Sequence, residues 1–90
     1  MRIVFSPDIV KELKKIKRNN VKLSKRVEKQ LSLFQNSPQH ISLRTHKLQG
    51  NLKNMWSISI TEKIRMVYLL LSHQEAYFIA LGTHDEVYKK

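Results

Sequence analysis

Apolar and polar positions along this chain change their period once, and the change divides it into two halves. In the first, Ile9, Leu13 and Ile16 recur at i, i+4, i+7 with lysines opposite, the spacing of one helix face. Ser6-Pro7-Asp8 ahead of them supplies a hydroxyl cap, a proline for the first turn and an acid at the positive end of the dipole. Asn19-Asn20 interrupts the pattern; Leu23, Val27, Leu31 and Phe34 resume it until Asn36-Ser37-Pro38. Two such stretches joined by a short polar turn predict a helical hairpin packed on another layer. A short β-prone run, residues 2–5, precedes it.

In the second half the period drops to two. Trp56, Ile58 and Ile60 alternate with Ser57, Ser59 and Thr61, as in a half-buried strand. Thr61-Glu62-Lys63 is a polar turn. Beyond it, residues 65–71 are apolar on both faces after Arg65, as in a central strand. Ser72-His73-Gln74-Glu75 reads as the next turn and residues 76–81 as the next strand, with residues 41–45 a weaker strand candidate. The order β-α-α-β-β-β-β predicts an antiparallel meander with helices over one face. This is an α+β two-layer fold, a small twisted, mostly antiparallel sheet backed by an N-terminal strand and helical hairpin. No repeat, low-complexity tract or linker interrupts it, so residues 1–90 read as one domain.

Composition narrows the class. With 41% hydrophobic residues and only two Gly and two Pro, the chain is too apolar and unbroken to be disordered. The absence of Cys removes disulfide scaffolds, thiol catalysis and Cys-rich zinc sites, and suits a reducing cytoplasm. The longest apolar stretch, residues 66–71, falls far short of the ~20 residues of a membrane span. The first five residues carry no signal-peptide pattern, so a cytoplasmic location is expected. Seventeen Lys and Arg against seven Asp and Glu leave a formal charge of +10, which points to a polyanionic partner: nucleic acid, an anionic membrane surface or an acidic protein. Most of the excess is N-terminal: residues 1–36 hold ten Lys and Arg against three acids, a net of +7.

Three segments carry candidate chemistry. Gly82-Thr83-His84-Asp85-Glu86-Val87-Tyr88 places a histidine, two acids and a tyrosine just beyond the sheet. It is either a frayed, solvated tail or one pinned back by Val87 and Tyr88. Arg65 heads a strand that is otherwise wholly apolar, so its charge snorkels at the sheet end, is paired, or faces a functional concavity. His46-Lys47-Leu48-Gln49-Gly50 leads into the Trp56 strand, whereas His40 and His73 sit in polar turns with no motif around them. No H-x-x-x-H, D-x-D or carboxylate cluster supports a metal, and Asp85-Glu86 in an extended chain would point opposite ways. The two glycines are isolated, so there is no phosphate-cradling loop.

Taken together, His46-Lys47-Leu48-x-Gly50, Trp56-Ser57-Ile58-Ser59-Ile60 running to Ile64-Arg65-Met66-Val67-Tyr68, and Gly82 to Tyr88 resemble the RelE/ParE superfamily of bacterial toxins. The likeness falls most clearly on the RelE/YoeB/YafQ-like messenger-RNA interferases, and with Phe5-Ser6-Pro7 and the hairpin it spans essentially the whole chain. The resemblance implies a type II toxin that cuts mRNA in the ribosomal A site without metal or small-molecule cofactor. The 2′-hydroxyl attacks the adjacent phosphate, giving a 2′,3′-cyclic phosphate, and a cognate antitoxin neutralises the enzyme.

Residue by residue, the resemblance makes Arg65 the phosphate-binding arginine, since a planar guanidinium suits two non-bridging oxygens at once. It makes His84 and His46 the proton-transfer pair, because imidazole titrates near neutral pH. His46 falls where YoeB-like members carry Glu and YafQ-like members His, and is the candidate base. Tyr88 matches a terminal aromatic that stacks on a base or orients the ribose. Lys47, Lys53 and Lys63 are candidate phosphate contacts, with solvated surface lysine the plainer reading of Lys47 and Lys53. Lys14, Lys15, Lys17, Arg18, Lys22, Lys25 and Arg26 on the helices are candidate contacts to ribosomal RNA. The chain departs from RelE itself, whose strand lysines would fall near Ser57 and Ser59. It also departs from the YafQ-like set, whose second histidine and aspartate would fall near Ser59 and Lys63. A ParE-type inhibitor of DNA gyrase is the alternative on the same fold, though His46 and the His84–Tyr88 segment have no evident use in it. An inactive RNA-binding module is a third.

Overall fold

The computed structural model describes residues 1–48 and 54–88, the Tyr88 side chain excepted. The elements follow as β1 (Arg2–Phe5), α1 (Pro7–Asn19), α2 (Val21–Asn36), a 3-10 turn (Ile41–Leu43), β2 (His46–Lys47), β3 (Met55–Ser59), β4 (Ile64–Ser72), β5 (Glu75–Thr83) and α3 (His84–Tyr88). The five strands form one sheet in the order β1-β5-β4-β3-β2. β1 runs parallel to β5 and the other pairs are antiparallel.

The hairpin forms where its caps dictate. Ser6 Oγ accepts the Ile9 amide at 3.2 Å, and Pro7 occupies the first turn of α1. Asn20 serves both helices: its amide donates to the Ile16 carbonyl at 2.8 Å, ending α1, and its Oδ1 accepts the Leu23 amide at 3.1 Å, starting α2. Ile9, Val27 and Phe34 face the sheet and meet Ile58, Ile60, Met66, Tyr68, Ala76 and Phe78 in one core. At its centre Phe34, Tyr68 and Phe78 form a ring triangle with centroids 5.0, 5.1 and 5.5 Å apart.

α2 also closes the end of β3 with two polar side chains one turn apart. Gln30, only 1% exposed, donates from Nε2 to the Ser59 carbonyl at 2.8 Å, and Arg26 Nε donates to the Ile60 carbonyl at 2.8 Å. Both satisfy carbonyls at the end of β3 and just past it, which β2 is too short to reach.

Two expectations from the sequence are corrected. Residues 41–45 do not form a strand. His40 Nδ1 accepts the Ser42 amide at 3.1 Å and starts the 3-10 turn, and Arg44 ends it in the left-handed region at φ 44°. Pairing with β3 is left to His46 and Lys47 alone. The C-terminal segment is neither frayed nor extended but helical: Thr83 Oγ1 accepts the Glu86 amide at 3.3 Å, and Glu86 Oε1 accepts the Thr83 amide at 2.8 Å. This reciprocal cap sets α3 going against β4 and β5.

A register shift between Val67 and Tyr68 positions the rest. Tyr68 pairs with Phe78 and Val67 with Ala80, so Ile79 is the extra residue of a bulge. One added residue reverses the alternation of β5 beyond it. Leu81 therefore packs against the core, and Gly82, paired with Arg65, belongs to the opposite face.

Candidate functional site

The face turned away from α1 and α2 is built from the other half of each strand's alternation. With Ile58, Ile60, Met66 and Tyr68 in the core, Ser57 and Ser59 of β3 and Arg65 and Val67 of β4 fall on this second face.

Arg65 is its fixed point. Nε donates to Ser57 Oγ at 3.0 Å, and Nη2 donates to the carbonyls of Arg44 at 2.6 Å and Ser57 at 3.3 Å. Ser57 is fully buried and Arg65 half-buried, so the serine hydroxyl that receives Nε is shut off from solvent. The left-handed Arg44 turns the chain so that its carbonyl meets the guanidinium. A side chain this anchored has already lost the rotamer freedom that binding an anion would otherwise cost.

His46 pairs directly with Ser57 across β2 and β3, which puts it on the Arg65 face beside the anchoring serine, with its side chain exposed. His84 opens α3 two residues after Gly82, the strand partner of Arg65. Its side chain is 73% exposed, with Nδ1 3.7 Å from Asp85 Oδ1. Helix α3 comes close over the sheet here: a Cβ on Gly82 would stand 3.0 Å from Glu86 Oε1. The Thr83 amide, and then the Thr83 hydroxyl, hold the Glu86 carboxyl below its usual pKa range. Val87 is buried, pinning the helix. Tyr88 is the last residue of α3, and its side chain lies outside the described residues.

The lysines divide differently. Lys47 pairs with Trp56, so alternation carries it to the core-side face, where its Nζ lies 5.8 Å from the Trp56 ring centroid. It is not gathered with Arg65. Lys53 lies outside the described residues. Lys63 is exposed in the turn before β4 and rims a groove shared with Lys22, Lys25, Arg26 and Lys29 of α2. Lys14, Lys15, Lys17, Arg18, Lys22 and Lys25 are all exposed, and Arg26 is exposed with its Nε committed to Ile60. Among the described residues no three His, Asp or Glu side chains cluster as metal ligands would, and no helix is long and apolar enough to cross a membrane.

Sequence reasoning overlooked the two residues that hold Arg65. Strand alternation makes Ser57 a same-face neighbour of Arg65, but in the sequence it stands out only as a departure from the lysine of RelE itself. Arg44 gave no signal, because arginine has no preference for the left-handed region.

The sequence matches, over residues 1–89, the family described as the bacterial toxin of type II toxin-antitoxin system, YafQ. None of the curated protein sequences matches it. Among solved structures it is similar to YafQ in the Escherichia coli DinJ-YafQ complex, at 19% identity and a TM-score of 0.77 over 98% of this chain and 99% of that one. It is also similar to a protein of the Staphylococcus aureus YoeB-YefM complex, at 24% identity and a TM-score of 0.76 over 93% and 97% of the two chains. Escherichia coli YafQ from strain BL21(DE3) shares 19% identity, with a TM-score of 0.75 over 98% and 99%.

Proposed function

The chain belongs to the YafQ family of type II toxin-antitoxin toxins, and on that premise we propose that it is an endoribonuclease that cuts mRNA in the ribosomal A site without a metal. The observation that carries this reading is the prepositioned Arg65, held by Ser57 and Arg44, with His46 on the same face and His84 at the head of the adjacent helix. In-line cleavage needs a base for the ribose 2′-hydroxyl, a cation for the phosphorane and an acid for the departing 5′-oxygen. His46 takes the 2′-proton, and the 2′-oxygen bonds to phosphorus. Arg65 stabilises the added charge on the non-bridging oxygens, and His84 protonates the 5′-oxygen as its bond to phosphorus breaks. Tyr88 orients the ribose or stacks on a base, and Lys63 adds positive potential near the entrance to β4.

Solved relatives in complex with DinJ and YefM support a cognate antitoxin as the partner here. An acidic segment of it covering Arg65 would neutralise the toxin in the cytoplasm. The exposed cations of α1 and α2 fit docking to ribosomal RNA. The test is purified protein on translated mRNA. Arg65→Ala is expected to lower cleavage by roughly two to three orders of magnitude, the usual loss for a preorganised electrostatic contact. Cleavage by Arg65→Ala at the parental rate overturns the reading. Intact transcripts with broken DNA in induced cells would favour a gyrase inhibitor instead.

A further inference from the structure

On the core-side face, beyond the reach of α1 and α2, a cavity of about 660 Å³ lies between the 3-10 turn and the far end of the sheet. Trp56 and Tyr68, cross-strand partners on β3 and β4, line it together with Leu70, while Arg44, His40 and His73 line it with nitrogen-bearing side chains. Among the described residues no carboxylate lines it. One polar atom among these residues is left over from folding: Thr45 Oγ1 is buried without a partner. Tyr68, 4% exposed, lines the same cavity. Burial pushes the Tyr68 hydroxyl up to about 12, so it remains a proton donor throughout the physiological range. Unpaired buried hydroxyls are uncommon in folded proteins, and the Thr45 hydroxyl is one on a residue that lines an aromatic cavity.

We propose that this cavity is a nucleobase subsite, in which a base of the RNA strand stacks against Trp56, hydrogen-bonds the Tyr68 hydroxyl, and has its phosphate met by Arg44. Arg44 joins this site to the catalytic one: its carbonyl accepts from Arg65 Nη2, and the same residue lines the cavity. A strand whose scissile phosphate rests on Arg65 therefore rounds the short β2 edge at Arg44 and delivers a flanking, unpaired nucleotide to Trp56. Single-stranded RNA suits the chemistry better than a protein segment, since flat aromatic lining, cationic nitrogen and, among the described residues, no carboxylate match a splayed base and its phosphate. The inference rests on the ribonuclease reading and adds a second point of contact to it.

Trp56 is the only tryptophan, so its fluorescence reports the cavity directly. The full chain is titrated with adenosine and guanosine 5′-monophosphate and, as controls, ribose 5-phosphate and inorganic phosphate. Saturable quenching by the nucleotides but not by the controls is expected. It should weaken about fivefold in Tyr68→Phe, which removes only the hydroxyl. It should weaken comparably in Arg44→Asn, where asparagine tolerates the left-handed backbone. Quenching should persist in Arg65→Ala. Absent quenching, equal quenching by ribose 5-phosphate, or quenching abolished by Arg65→Ala would each overturn the subsite. Cleavage of translated mRNA, measured in parallel, keeps the two readings apart: failed quenching with intact cleavage removes the subsite alone. Quenching without cleavage retains the nucleotide site and removes the ribonuclease.

Discussion

Ser57 and Arg65 are diagonal neighbours across β3 and β4, and the serine holds the arginine twice, through its hydroxyl at 3.0 Å and its carbonyl at 3.3 Å. The serine is fully buried, so its hydroxyl has little freedom to turn to another partner. A surface arginine sweeps a wide volume. This one is aimed, and Arg44 completes the aim with a carbonyl at 2.6 Å.

Ser57→Ala therefore separates aiming from charge. The substitution keeps the backbone carbonyl and the guanidinium but leaves Nε–H without its acceptor, at a cost of about 1–3 kcal/mol in a half-buried setting. Cleavage is expected to fall about tenfold, with the melting temperature lowered by about 4–8 °C for each kcal/mol lost. Arg65→Lys should fall further than Ser57→Ala, because an ammonium lacks the planar fork that meets Ser57 and Arg44 while presenting charge to a phosphate. Rates of RNA cleavage and thermal denaturation on both variants check this; parental cleavage by Ser57→Ala would remove the aiming role.

The helical hairpin was legible because its determinants are local: Ser6 and Asn20 sit three residues before the amides they cap, and the apolar stripes repeat within a few turns. Arg65 was legible as a charge heading an apolar run. Its setting was not, since Ser57 meets it across a strand pair and Arg44 meets it from 21 residues away. The strand expected over residues 41–45 failed for a related reason. Ile41, Leu43 and Thr45 alternate as a strand would, but the His40 ring captures the Ser42 amide first, leaving Ile41 88% exposed. Helix α3 carries a readable cap, Thr83-x-x-Glu86, on a helix of five residues that is too short to show a period.

Gly82 and Glu86 set the position of α3, and hence of His84. A methyl at residue 82 would press on Glu86 Oε1 at 3.0 Å and on its Cβ at 3.1 Å, so Gly82→Ala is expected to displace the helix cap without unfolding the sheet. Hydrogen exchange at Val87 should quicken several-fold, and cleavage should fall with it. Acid tests the same contact. The carboxyl pKa is lowered in the fold from its ordinary 4.5, so its contribution is present above that value and is lost as pH falls through the lower folded value. Wild-type Val87 should lose protection in that acid window. Glu86→Gln, already uncharged, should show weaker protection with no acid transition of its own.

The basic helices make a prediction of a different kind. Lys14, Lys15, Lys17 and Arg18 are exposed, so changing all four to Gln should alter stability by no more than about half a kcal/mol for each. Ribosome affinity should become less salt-dependent. With four phosphate contacts removed, the slope of log affinity against log salt falls by about three. Arg26 is the contrast, since its Nε supports the Ile60 carbonyl and Arg26→Ala should lower stability as well as binding. Pelleting with ribosomes over a salt series, alongside urea unfolding, distinguishes the two outcomes. An unchanged slope in the fourfold variant would remove α1 from the docking surface.

Tyr68 links the core to alkaline behaviour. Its ring lies on the buried side of β4, against the rings of Phe34 and Phe78, and burial raises the pKa of its hydroxyl from 10.0 to about 12. An acid whose pKa is raised by folding adds nothing against unfolding while both states are protonated. Above pH 10.0 the unfolded chain ionises first, and the fold loses stability progressively until the folded hydroxyl also ionises near 12. Wild-type protein should therefore show a fall in melting temperature that begins near pH 10.0. Tyr68→Phe keeps the ring contacts and has no proton to lose, so its curve should stay flatter over the same window. Matching alkaline curves for the two proteins would mean that the Tyr68 hydroxyl reaches water freely, and the cavity beside Trp56 would then be too open to select a stacked base.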